Sequence, residues 1–111
     1  MRHEIHDRVG LEIAKRVVAR LREQPDLVNI ARNNIRRWQE RNAESPSLLA
    51  CYREWEMILQ QPFEKVCVVL CADTDEGRRL RQNSPFVGVL PPGEIWEIKR
   101  IARVGYAETS A

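Results

Sequence analysis

The sequence predicts an all-α fold, a compact single-domain bundle of five or six helices. Three observations lead there. Apolar residues recur at steps of three and four along most of the chain. Prolines at 25, 46, 62 and 91–92 cut it into helix-length segments. Strand-like character is confined to Val66–Ala72 and the brief Phe86–Leu90, the second bounded by prolines, and a lone strand is unstable.

Each element follows in order. Ile5, Val9, Ile13, Val17 and Leu21 lie four apart, with Ala14 and Val18 widening the stripe, so a first helix spans about 3–23. Pro25 ends it, and Asp26 suits the first turn of the next, where a carboxylate meets the positive end of the helix. Leu27, Ile30, Ala31, Ile35 and Trp38 form the apolar face of helix two, which closes near Asn42. Ser45-Pro46 reads as an N-cap followed by proline at the first helical position. Helix three then presents Leu48, Tyr52, Trp55 and Leu59, flanked by Leu49 and Ile58, and stops before Pro62. Within the fourth segment, Phe63 to Ala72, the run Val66 to Ala72 is β-branched enough for a buried strand, and only the want of a partner favours helix. Asp73-Thr74-Asp75-Glu76 matches a capping box with Asp73 at the N-cap, opening a short helix to Arg81 or Gln82. A last helix follows Pro92 with Ile95, Ile98, Ile101 and Ala102 inward and Trp96 on its flank. The domain is expected to span 1–106, with 107–111 a frayed tail.

Composition bounds the function. A chain of 111 residues supports one core, and 43% hydrophobic with 31% charged residues is the balance of a soluble globule. No apolar stretch follows the charged N-terminus, and the longest apolar run is seven residues, so a cytoplasmic protein is expected. Net charge is +2, distributed as +4 over residues 1–41, −5 over 42–76 and +3 over 77–111. Arginine outnumbers lysine fifteen to three. That bias suits bidentate binding of carboxylate or phosphate, and equally the codon usage of a GC-rich genome with internal pairing. Cys67 and Cys71 share a helix face, but they sit in an apolar run and read as reduced core thiols. His3 and His6 lack a third ligand, so no metal is expected.

Catalytic constellations are wanting. Glu54 and Glu56 point to different sides of helix three, Ser45, Ser47 and Ser84 have no histidine base, and there is no glycine-rich phosphate loop. No enzyme and no cofactor are expected. Two other patterns stand out. Helix two turns Arg32, Asn33, Arg36, Arg37 and Arg41 away from its apolar stripe, side chains of the kind that read base edges; an ordinary solvated face is the competing reading. The run Arg78-Arg79-Leu80-Arg81-Gln82-Asn83-Ser84-Pro85-Phe86-Val87-Gly88-Val89-Leu90 joins guanidinium groups to an apolar strip across a Ser-Pro break. It is either a binding ledge centred on Arg78, Arg81, Gln82, Ser84, Pro85 and Phe86, or a helix terminus whose Phe86 and Leu90 plug the core while its arginines pair with Asp73, Asp75 and Glu76.

The string at 79–90, with Ala31-Arg32-Asn33-Asn34-Ile35-x-x-Trp38 and Glu54-Trp55 followed by Ile58-Leu59, resembles a family of small uncharacterised bacterial helical proteins. The resemblance covers roughly residues 3 to 103. It implies no catalytic residue, and it implies a likeness to the small partners of toxin–antitoxin-like gene pairs. Pro92-Gly93-Glu94-Ile95-Trp96 is more apolar than the family's Glu-Arg-rich opening to its last helix. The expectation is a non-enzymatic protein-interaction module, the antitoxin-like partner of a second bacterial protein, with a small helical DNA-binding regulator as the alternative.

Overall fold

The computed structural model describes the backbone of residues 2–110 and the side chains of residues 7–104. Among the described residues six α-helices follow one another: α1 (Arg2–Glu23), α2 (Val28–Arg41), α3 (Pro46–Leu59), α4 (Phe63–Leu70), α5 (Asp75–Arg81) and α6 (Pro92–Ser110). A single 3-10 turn, Pro25–Leu27, joins α1 to α2. Among the described residues there is no strand. Residues 63–70, ambiguous in sequence, are helical: Val66, Cys67 and Leu70 are buried while Val68 is exposed, a spacing of one helix face.

The first helix is the spine. It packs against α4, α5 and α6 and buries Val9, Ala14, Val17, Val18 and Leu21. Helix α6 runs back along it, with Glu94 near its start reaching Arg16 at 3.4 Å and Arg20 at 3.0 Å. Helix α2 packs chiefly on α3, and α3 in turn on α4. Trp38 and Tyr52 meet across α2 and α3 with ring centroids 5.7 Å apart. At the centre stands Trp55, 1% exposed, where burial of so large an aromatic dominates the local energetics.

Two details depart from the sequence expectations. The N-cap of α5 is Thr74, not Asp73: the Thr74 hydroxyl accepts from the Gly77 N–H at 3.0 Å. Both residues are good caps, and it is the Thr74 side chain that reaches a free N–H of the first turn of α5. Ile101 is not inward but 52% exposed, because α6 at that level lies on α1 alone and a single neighbour covers only a narrow stripe. Arg16 pairs with Glu94 of α6, and Glu12 takes Lys15 at 3.2 Å. The backbone of α6 is helical to Ser110, and Gly105 within it costs only about 1 kcal/mol relative to alanine. Ala111 and the side chains of Glu4, Ile5, His3 and His6 lie outside the described residues.

Two helical glycines differ in kind. Gly77 is buried in the first turn of α5, where a Cβ would collide with the carbonyl of Ala72. A Cβ on Gly10 of α1 would meet nothing closer than Arg81 Nε at 3.9 Å, an ordinary contact. Gly77→Ala is therefore expected to destabilise by about 2 kcal/mol through backbone displacement. Gly10→Ala should stabilise by about 0.5–1 kcal/mol, the ordinary helical gain. Urea midpoints of the two variants check both signs.

Candidate binding cleft

The residues at 78–90 are sorted by the helix they end. Leu80 is buried, and the three arginines around it diverge. Arg78 reaches Asp75 at 3.2 Å and Asp7 of α1 at 3.6 Å. Arg79 grips both oxygens of Glu54 on α3, at 3.1 and 2.6 Å, and also binds Glu76. Its hydrogen bonds hold the Glu76 carboxyl below the usual carboxylate range. Arg81 has no carboxylate among the described residues. Its Nη1 donates instead to the Leu70 and Ala72 carbonyls, at 3.0 and 2.7 Å, and so caps the C-terminus of α4.

Helix α5 ends at Arg81 in a turn over Gln82 and Asn83, and Ser84-Pro85 keeps it from resuming, because the residue before proline avoids the α region. Pro85 and Phe86 turn into the core and are buried, as are Val89 and Leu90, whereas Val87 is 66% exposed. Gly88 takes φ 97°, a left-handed conformation that costs a side-chain-bearing residue about 1–2 kcal/mol. The segment is therefore no exposed ledge of Pro85 and Phe86. Its apolar half is core, while Gln82 stays exposed and Ser84 half-buried.

Two side chains fix this segment from below. Asn34 of α2, buried in an otherwise apolar stripe, donates through Nδ2 to the Pro85 and Val87 carbonyls, both at 2.8 Å. Its Oδ1 accepts from Arg37, so the amide orientation is set by a cation on one side and two carbonyls on the other. Trp55 donates through Nε1 to the Leu80 carbonyl at 3.0 Å and meets the Phe86 ring edge-on, centroids 6.1 Å apart at 76°. The segments Ala31–Trp38, Glu54–Trp55 and 79–90 thus converge on one place, with Asn34 and Trp55 holding the third.

What they hold is one wall of a cleft of about 650 Å³. Gly10, Ile13, Ala14 and Val17 of α1 form the facing wall, and Leu70 of α4 also lines it. Phe86, Val87, Gly88 and Leu90 form the near wall, and Pro91, Pro92 and Ile95 continue it into α6. The polar groups are Arg81, Gln82 and Ser84. Ser84 Oγ accepts from the Phe86 N–H at 3.3 Å, which leaves its hydroxyl proton free to donate. A concave, mostly apolar site with a few polar groups is the usual build of a ligand or side-chain receptor, and its volume is within the range of about 300–1,000 Å³ common for such sites. Of the residues expected to bind, Arg81, Gln82, Ser84 and Phe86 line the cleft; Arg78 and Pro85 do not.

The sequence pattern missed the cleft's other half. Ile13, Val17 and Ile95 read as core positions, and helical periodicity does not separate a core face from a cleft wall. Asn34 carried a legible signal, a polar residue three after Ala31 and one before Ile35, within the buried stripe of α2.

The alternative set on α2 is divided. Arg32 donates to Asn29 at 3.1 Å and to the Leu59 carbonyl at 3.4 Å, and Arg37 is committed to Asn34. Asn33, Arg36 and Arg41 are exposed. Arg36 shares a shallow hollow of about 210 Å³ with Arg32, Gln39, Glu56 and Gln60, so its field is diluted by a carboxylate. The thiols of Cys67 and Cys71 are pushed up by burial, the state of inert core cysteines. Among the described residues no three His, Cys, Asp or Glu side chains gather as a metal site, and no helix is long and apolar enough to cross a membrane. No family model, curated protein or solved structure matches the chain.

Proposed function

We propose that this protein is a non-enzymatic interaction module that seats an apolar segment of a second protein in the cleft between α1, residues 81–91 and the start of α6. The antitoxin-like pairing implied by the sequence resemblance is one form of such a module. The observation that carries the reading is the clamped near wall. Asn34 and Trp55 hold the 84–91 segment from the core side, so the cleft is pre-formed, and a pre-formed receptor loses less entropy on binding. Val87 at its rim is an exposed apolar contact, and Arg81 is a guanidinium of the kind that anchors interfaces.

A photo-crosslinking residue at Val87, on the rim, compared with one at Met57, exposed on α3 and outside the cleft, tests this in the cells that make the protein. The expected result is one discrete protein adduct from position 87, absent from position 57 and suppressed by Ile13→Trp, which fills the cleft. Equal labelling from both positions, or an adduct indifferent to Ile13→Trp, contradicts it.

A DNA-binding reading keeps one supporting observation, the exposure of Arg36 and Arg41. Affinity for duplex DNA that falls steeply with salt and is lost in Arg36→Ala/Arg41→Ala would favour it over the cleft.

A further inference from the structure

We infer that the cleft is a receptor for a chain terminus: it takes the apolar C-terminal residues of the partner, with the terminal carboxylate on Arg81. This rests on the partner reading above and names what the partner presents. The contrast among three neighbouring arginines carries it. Arg78 has two carboxylates, Asp7 and Asp75, and Arg79 has two, Glu54 and Glu76. Arg81, half-buried in the cleft wall, has only the Leu70 and Ala72 carbonyls, both on Nη1. Its Nε and Nη2 make no hydrogen bond among the described residues, and a guanidinium beside so much apolar surface is poorly hydrated. An anion there gains a charge-assisted bond. The two carbonyls hold the fork in place without spending those donors.

The rest of the lining selects the kind of anion. Ile13, Val17, Val87 and Ile95 offer apolar contact, so a bare phosphate or sulfate would leave the cleft unfilled. Gln82 supplies both a donor and an acceptor and Ser84 a free hydroxyl proton, which match the amides of an entering peptide. A simple acyl chain has nothing to offer the Gln82 carbonyl. Capture of a C-terminal carboxylate is an established mode of peptide recognition.

The test uses three probes on the intact protein by titration calorimetry: an acetylated Ala-Leu-Val-Leu peptide with a free carboxylate, the same peptide amidated, and decanoate. The free acid is expected to bind at least about tenfold tighter than the amide, as a charged hydrogen bond implies. That margin should vanish in Arg81→Met, and Ile13→Trp should abolish binding of both. Equal affinity for acid and amide, or no peptide binding, overturns the inference. Decanoate binding without peptide binding also overturns it and assigns the cleft to a free acid. Should Arg81→Met fail to fold, the acid–amide comparison in the unaltered protein decides alone. A discrete, cleft-dependent crosslink from Val87 with no acid preference would leave the partner reading standing and this inference refuted.

Discussion

Trp55→Ala is expected to cost about 3–5 kcal/mol, enough to leave a domain of this size largely unfolded or barely folded at 37 °C. The ring is 1% exposed and touches two structural decisions at once, the end of α5 through the Leu80 carbonyl and the inward turn of Phe86. Trp55→Phe separates the two roles. It keeps an aromatic against Phe86 and removes the indole N–H, while the Leu80 carbonyl still accepts from the Asn83 N–H at 3.2 Å. Its cost should therefore be the smaller share, about 1–2 kcal/mol including the volume lost. Urea denaturation of both variants measures the difference. A Trp55→Ala protein within 1 kcal/mol of the parent would mean that this ring is not the centre of the core.

The second large effect belongs to Asn34. Asn34→Leu keeps the size of the side chain and fits the apolar stripe of α2, so hydrophobic pattern alone would favour it. The expectation is the reverse, a loss of about 2–4 kcal/mol, because the Pro85 and Val87 carbonyls lose the Asn34 amide donor that both accept from. Asn34→Asp should cost at least as much, since an ionised carboxylate has no N–H to donate and faces two carbonyl oxygens at 2.8 Å. In both variants the helices should survive while the 84–91 segment loosens. Far-UV circular dichroism near the parent's, with binding at the cleft weakened, is the expected combination.

Much of the fold was legible because helix periodicity and proline placement agree along this chain. Leu21, Ala31, Ile35, Tyr52, Trp55 and Leu59 are buried where their spacing put them. Residues 63–70 were harder, since the short apolar run Val66–Leu70 satisfies either period and only tertiary context decides. The shift of the α5 cap from Asp73 to Thr74 shows a limit of local signals: two adjacent residues can both cap, and the one whose side chain reaches a free N–H of the first turn does so. Ile101 shows another, because periodicity reports which residues share a face but not how far a neighbour extends beneath it.

The site was legible in part. The arginine cluster was visible, but which guanidinium stays unneutralised depends on Asp7, Glu54 and two backbone carbonyls, partners up to 71 residues away in sequence for the first. Phe86 looked equally suited to a ledge or a plug, and it lines the cleft from within the core. Asn33 and Asn34 were adjacent in one motif; the outward-facing one drew attention, and the inward-facing one fixes the wall.

The cleft exists as a receptor only if the 84–91 segment is a fixed wall rather than a flexible connector. Hydrogen exchange resolved to the amides of Asn83, Ser84, Phe86 and Val89 tests this most directly, since each of them is a hydrogen-bond donor within or at the edge of the segment. Protection of Phe86 and Val89 comparable to that of α2 and α3, collapsing in Asn34→Leu while α1 stays protected, is the predicted result. Exchange of those amides at unprotected rates in the parent protein would contradict it.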